Sequence, residues 1–232
     1  MKNVIVTGGS NGIGLECSKL YAKKNNNVFI LDIVSPKYES NLIHYYKCDV
    51  GNYTEVKNTI DEINEKFGKI DIIINCAGKQ IISEFDEYDY EKWLSVMKAN
   101  YFGVCNTIHS CLNYFNDNAT ILNITSVHAY VPRTQKYAYD SSKSAISMLT
   151  KELALYFSSK GITINSLSFG AVNTNMNDSW TLTQKEEARA KVPLKIIFEP
   201  QEIAKCVYKI IRDYSRYTTG SDFTIDGGRS LI

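Results

Sequence analysis

The 232-residue chain has almost no net charge: 26 basic side chains stand against 25 acidic ones. That balance gives no footing for a nucleic-acid groove or a polybasic membrane patch. No apolar run reaches the roughly eighteen residues that a membrane helix needs. A strand and a glycine turn follow Met1-Lys2 so closely that no signal peptide is expected. Six cysteines contain no C-x-x-C pair, which points to reduced, packed thiols and a cytoplasmic setting. The three histidines, His44, His109 and His128, lack metal-ligand spacing, so no metal is expected, and His44 and His109 read as structural. No G-x-S-x-G elbow supports a hydrolase built on Ser126, His128 and Asp140. No Gly-Lys-Ser/Thr follows the glycines, which excludes P-loop chemistry. Neither repeat nor linker is visible, so residues 1–232 are expected to form one domain.

What is present is an alternation of short β-branched runs and amphipathic stretches. Strands are expected at 3–6, 27–31, 43–48, 71–75, 120–125, 162–167 and 223–225. Helices are expected from Leu15 onward, over 53–67 with a stop at Gly68, over 89–99 and 101–115 with Asn100 at their join, over 137–159, and from Pro200 to about Tyr214. The stretch 34–42 is short and carries Pro36, so no full helix is expected there. The polar segment from about 170 to 198 reads as a mobile lip over a substrate site. Strand alternating with helix implies one parallel α/β sheet covered on both faces.

Thr7-Gly8-Gly9-Ser10-Asn11-Gly12-Ile13-Gly14 lies between the first strand and the first helix. In that context the glycines let the backbone turn tightly and approach a pyrophosphate, which the helix N-terminus favours. Asp32 ends the second strand about twenty residues on, where a carboxylate grips a ribose 2′-hydroxyl. It also repels a 2′-phosphate: at ~4 Å and an effective dielectric of ~20 such a pair costs about 4 kcal/mol before screening. NAD is therefore expected over NADP, by tens of fold. Further on, Y-x-[AS]-S-K ends a stretch from Ser126 to Lys143. Tyr139 and Lys143, four apart in a helix, share one face. An ammonium beside a phenol favours phenolate and lowers its pKa from about 10. Ser126, thirteen residues before Tyr139, offers a hydroxyl for a substrate oxygen.

These motifs together resemble the short-chain dehydrogenase/reductase family over essentially the whole chain. T-G-x-x-x-G-x-G is Thr7 to Gly14, the Asp-Val cofactor motif is Asp49-Val50, and N-N-A-G appears as Asn75-Cys76-Ala77-Gly78. The family's catalytic Asn, Ser, Tyr and Lys fall on Asn100, Ser126, Tyr139 and Lys143. The resemblance implies a single Rossmann-type, doubly wound parallel sheet of about seven strands, and a homotetramer or homodimer. It implies hydride transfer between nicotinamide and a secondary alcohol or ketone, with Tyr139 exchanging the proton. Lys143 would lower the Tyr139 pKa and bind the nicotinamide ribose, Ser126 orient the carbonyl, and Asn100 hold a relay water. Gly8, Ser10, Asn11, Gly12, Ile13, Gly14, Asp32, Asp49, Val50, Asn75, Ala77, Gly78 and Thr174 would contact the cofactor. His128, two residues past Ser126, would join Ser126 and Tyr139 at the substrate, with Gln80, Tyr130, Met176 and Trp180 as further pocket candidates. That polar and aromatic set hints at a polyol, a sugar-like or a hydroxylated cyclic substrate.

Three departures stand out. Phe169-Gly170 replaces the family's Pro-Gly, Cys76 replaces an Asn, and the second helix is missing. A 3-oxoacyl carrier-protein reductase using NADPH would share the catalytic residues, but Asp32 argues against NADPH. A non-catalytic NAD-sensing regulator would share the fold, but the four catalytic positions are intact.

Overall fold

Side-chain alternation along the strands decides which helix layer each residue meets. The computed structural model describes residues 1–174 and 181–232. Strand β1 (Asn3–Thr7) buries all five of its residues, as a strand covered on both faces must. Its Val4 and Val6 join Val28 and Ile30 of β2 (Asn27–Asp32) in one core, under α1 (Gly12–Lys23) and α7 (Pro200–Lys209). Ile5, Phe29 and Leu31 go to the other face. There they meet Val56, Ile60 and Ile63 of α2 (Tyr53–Phe67) and the buried side of α5 (Tyr137–Ser158).

The remaining strands are β3 (Ile43–Lys47), β4 (Ile70–Asn75), β5 (Phe115–Ile124), β6 (Thr163–Phe169) and β7 (Asp222–Ile225). All pairings are parallel, in the order β3-β2-β1-β4-β5-β6-β7. Growth of the sheet reverses between β1 and β4. Loops leaving those two strands diverge there and open a crevice at the carboxyl ends. No helix follows β2: residues 33–42 are irregular, as Pro36 suggests.

Three boundaries differ from the sequence expectation. The helix expected over 101–115 stops early, because Cys111 to Tyr114 turn and Phe115 already begins β5, its ring 5.8 Å from that of Phe157. Helices α3 (Tyr90–Met97) and α4 (Gly103–Ser110) are joined not by a break but by a widened π turn, Lys98–Phe102. The supposed lip contains a helix, α6 (Leu182–Ala190), started by a reciprocal capping box between Thr181 and Gln184. That T-x-x-Q signal was in the sequence, obscured by the polar composition around it. Among the described residues no helix is long and apolar enough to cross a membrane. All six cysteines are unpaired.

Candidate active site

The glycine turn is built by close approach. Gly8 has φ +64, and a Cβ there would stand 2.7 Å from the backbone of Ala77 in the loop after β4. Thr7 Oγ1 accepts from the Cys76 and Ala77 N–H groups at 3.1 and 3.2 Å, locking the two loops together. A Cβ on Gly14 would fall 2.2 Å from the Gly8 carbonyl oxygen, so only glycine lets α1 start this close to β1. Asn11 precedes α1 in an extended conformation and its side chain makes no cap, leaving the first-turn N–H groups open towards the crevice. Such a cradle fits the pyrophosphate of a dinucleotide.

Asp32 closes the turn from β2. Its carboxylate accepts from the Ser10 N–H at 3.0 Å and the Val34 N–H at 3.2 Å, while the Ser10 hydroxyl donates to the Val34 carbonyl at 2.6 Å. The carboxylate therefore both braces the turn and stays half-buried at its rim.

Above the strand ends lies a cleft of about 970 Å³, near the upper end for small-molecule sites. Gly8, Asn11, Gly12 and Ile13 form one wall, with Ala77 and Gly78 from the β4 loop. Ser126, His128, Tyr139 and Lys143 form the floor and far wall, and Thr174 and Phe169 border the mouth. Other expected contacts do not line it. Ser10 and Gly14 sit behind the turn, and Asp49 accepts from the Gly51 N–H at 2.9 Å. Val50 packs towards Gly103. The Asn75 side chain turns inward, donating to Asn123 Oδ1 at 2.9 Å, because β4 alternation points it into the sheet interior. Tyr130 reaches away to Thr224 Oγ1 at 3.0 Å. Met176 and Trp180 lie outside the described residues.

Asn100 is fully buried on the π turn. Its Oδ1 accepts from the Lys79 N–H at 2.7 Å, and its Nδ2 donates to the Lys79 carbonyl at 3.0 Å and to Ser142 Oγ at 2.8 Å. Ser142 in turn donates to the Tyr139 carbonyl at 2.7 Å. The amide thus ties the β4 loop to the turn of α5 that carries Tyr139, with both its hydrogens engaged.

Tyr139 and Lys143 occupy adjacent turns of α5, the Lys143 Nζ 5.6 Å from the Tyr139 ring centre. Lys143 Nζ donates to the Ile124 carbonyl at 2.8 Å. Burial lowers its pKa to about 8, partly opposed by Cys76. Burial pushes Tyr139 up to about 12, although a hydrogen bond with Ser126 pulls the other way. The expected depression of the Tyr139 pKa is thus reversed, because removing phenolate from water outweighs its neighbours. Ser126 Oγ also accepts from the His128 N–H at 3.2 Å, and His128 Nδ1 lies 2.9 Å from the Val131 carbonyl. A carbonyl only accepts, so Nδ1 carries the proton. Burial lowers the His128 pKa.

One residue of the cleft went unnoticed in the sequence. Lys136, one turn before Tyr139, is 7% exposed, and its Nζ donates to Gln80 Oε1 at 2.6 Å. Burial lowers its pKa to about 8, with Arg133 adding to the effect. Its spacing from Tyr139 was visible, but Gln80 lies 56 positions away and gave no local sign.

A protein-family model described as enoyl-(acyl carrier protein) reductase matches residues 8–230. Glucose 1-dehydrogenase 2 of Bacillus subtilis is 30% identical, covering 99% of this chain and 95% of that protein. The ligand-free aldohexose dehydrogenase of Thermoplasma acidophilum superposes with a TM-score of 0.93 at 27% identity, covering 100% of this chain and 94% of that one. Two other solved relatives, each covering all of both chains, differ in cofactor. A 4-hydroxyisoleucine dehydrogenase is complexed with NADH (25% identity, TM-score 0.92), and a protein called ElxO has NADP bound (26% identity, TM-score 0.90).

Proposed function

We propose, from the premise that this chain belongs to the short-chain dehydrogenase/reductase family, that it interconverts a secondary alcohol and its ketone with NAD, Tyr139 carrying the proton. The convergence of Tyr139, Lys143 and Ser126 in one cleft beneath the glycine turn carries this reading. Gly8, Asn11, Gly12 and Ile13 would hold the pyrophosphate and Asp32 the adenosine ribose. A bound nicotinamide supplies the hydride acceptor or donor. In ketone reduction the Tyr139 hydroxyl gives its proton to the substrate oxygen as the carbon receives the hydride. In alcohol oxidation the phenolate takes that proton back. Ser126 Oγ would hold the same oxygen in place. Lys143 would fix the ribose near the nicotinamide and, as ammonium, balance the phenolate. Asn100 would set the α5 turn and offer its remaining carbonyl lone pair to a water.

Asp32 supports NAD over NADP. The ratio of kcat/KM with NAD to that with NADP is expected to exceed about 30, and Asp32→Ala to narrow it at least tenfold. A wild-type preference for NADPH would overturn the role given to Asp32. A purified protein that binds NADH tightly yet turns over no alcohol or ketone would instead be a cofactor sensor.

The pH dependence follows from the direction of the Tyr139 shift. The protonated phenol needed for reduction persists below its raised pKa, whereas the phenolate needed for oxidation is scarce until alkaline pH. kcat/KM for alcohol oxidation should therefore climb from pH 6 to about 8, by up to about tenfold per unit, and less steeply beyond, where Lys143 loses its ammonium charge, while ketone reduction gains nothing from alkali. A flat oxidation profile between pH 6 and 9 would rule out a raised Tyr139 as the unaided base.

A further inference from the structure

The cleft is lined by five cations, Arg133, Lys136, Lys143, Lys191 and Arg229, against one carboxylate, Glu187, among the described residues. The pyrophosphate of a dinucleotide would offset part of that excess, so each cation has to be judged by its own partners. Lys143 has its place in the chemistry, and Arg229 donates to the C-terminal Ile232 oxygen at 2.8 Å. Lys191 is exposed. Lys136 is different: it is nine-tenths buried, and its hydrogen-bond partner, Gln80, is a neutral amide. No carboxylate among the described residues pairs with it. The carboxylate it senses is Asp140, one turn further along α5, whose Oδ2 accepts from the Arg133 N–H at 2.9 Å and whose buried Oδ1 has no hydrogen-bond partner among the described residues; neither oxygen forms an ion pair with Lys136. An ammonium taken out of water without a counter-ion is costly, and a ligand anion removes that cost.

The position of Lys136 narrows the ligand. Its Nζ is 5.6 Å from the Tyr139 ring centre, the same distance as Lys143 Nζ. A group bound to Lys136 is therefore only a few bonds from a carbinol held at the Tyr139 oxygen. We infer that the substrate is a short hydroxy acid, or the corresponding keto acid, whose carboxylate pairs with Lys136 beside the Gln80 amide. Lys136 is then the residue that selects an acid over a neutral alcohol, which replaces the sugar-like substrate suggested by the pocket's polar and aromatic groups. This inference rests on the dehydrogenase reading above.

The test uses pairs that share a carbinol and differ in charge: lactate, 3-hydroxybutyrate and glycerate, each against its methyl ester, with turnover followed by NADH absorbance. At least one acid is expected to exceed its ester about 30-fold in kcat/KM, the low end for loss of one partner from a buried charge pair. Lys136→Met and Lys136→Gln should each remove that preference, chiefly through KM for the acid. Lys136→Arg should recover part of it. Esters used as well as acids by the wild type would overturn the inference while leaving the dehydrogenase reading intact. So would a loss in both substitutions that is equal for acid and ester. Absence of turnover on these pairs and on a broad alcohol and ketone panel, with NAD or NADP, would overturn both.

Discussion

Tyr139→Phe is expected to lower kcat by about 10³-fold, roughly 4 kcal/mol of transition-state stabilisation. The substitution removes one oxygen and keeps the ring, which is 8% exposed and packed against the α5 turn that Asn100 and Ser142 brace. Folding and NADH affinity should therefore change little. kcat and kcat/KM should fall together, because the lost interaction exists only while the proton moves. The measurement is steady-state turnover beside an NADH fluorescence titration and a melting curve. Retention of more than a tenth of the activity would assign the proton to another group, and His128, with Nδ1 protonated and Nε2 open to accept, would be next in line.

The second large effect is expected at Gly14. Alanine there places Cβ 2.2 Å from the Gly8 carbonyl oxygen and 3.1 Å from Gly9 Cα, both backbone, so the start of α1 must move away from β1. Overpacking of this kind costs about 2 kcal/mol, a fall in Tm of roughly 4–8 °C for a domain of this size. The displaced helix N-terminus should also weaken NADH binding at least 100-fold. Gly68→Ala provides the contrast. Gly68 has φ +83 but nothing within 4 Å of a built Cβ. With ψ −161 it lies in a region that is almost glycine-only, so it should lose about 1–3 kcal/mol to backbone strain yet bind NADH normally. Equal NADH affinity in both variants would mean that the turn does not hold the cofactor.

Much of this arrangement was legible from residue spacing. Tyr139 and Lys143 meet because four positions on a helix make neighbours, and that periodicity survives into α5 unchanged. Asp32 was found because strand β2 ends at it, and β2 reads plainly as a buried run. Asn75 shows the limit of motif reasoning. Its position is where the motif puts it, but its Nδ2 donates inward to Asn123, which passes the connection to Thr150 Oγ1 at 2.9 Å, and its buried Oδ1 has no hydrogen-bond partner among the described residues. Strand alternation decides that: Asn75 falls on the Ile73 face, while Ile72 and Ile74 face the other layer. Lys136 was missed for a different reason. A lysine in an R-T-Q-K run looks solvated until Gln80 and the loop after β4 close over it, and that closure is tertiary. The same holds for β5, whose first residue, Phe115, was expected to end a helix and is instead recruited as strand through Ile70.

The widened turn between α3 and α4 holds one residue more than a regular helix would. That surplus rotates everything beyond it by about 100° around the common axis. Phe102, 45% exposed, and the outward side of α4 therefore owe their compass bearing to the same extra residue that seats Asn100 in the interior. An insertion or deletion here cannot retune the interior amide without also redrawing the patch that the rod turns outward.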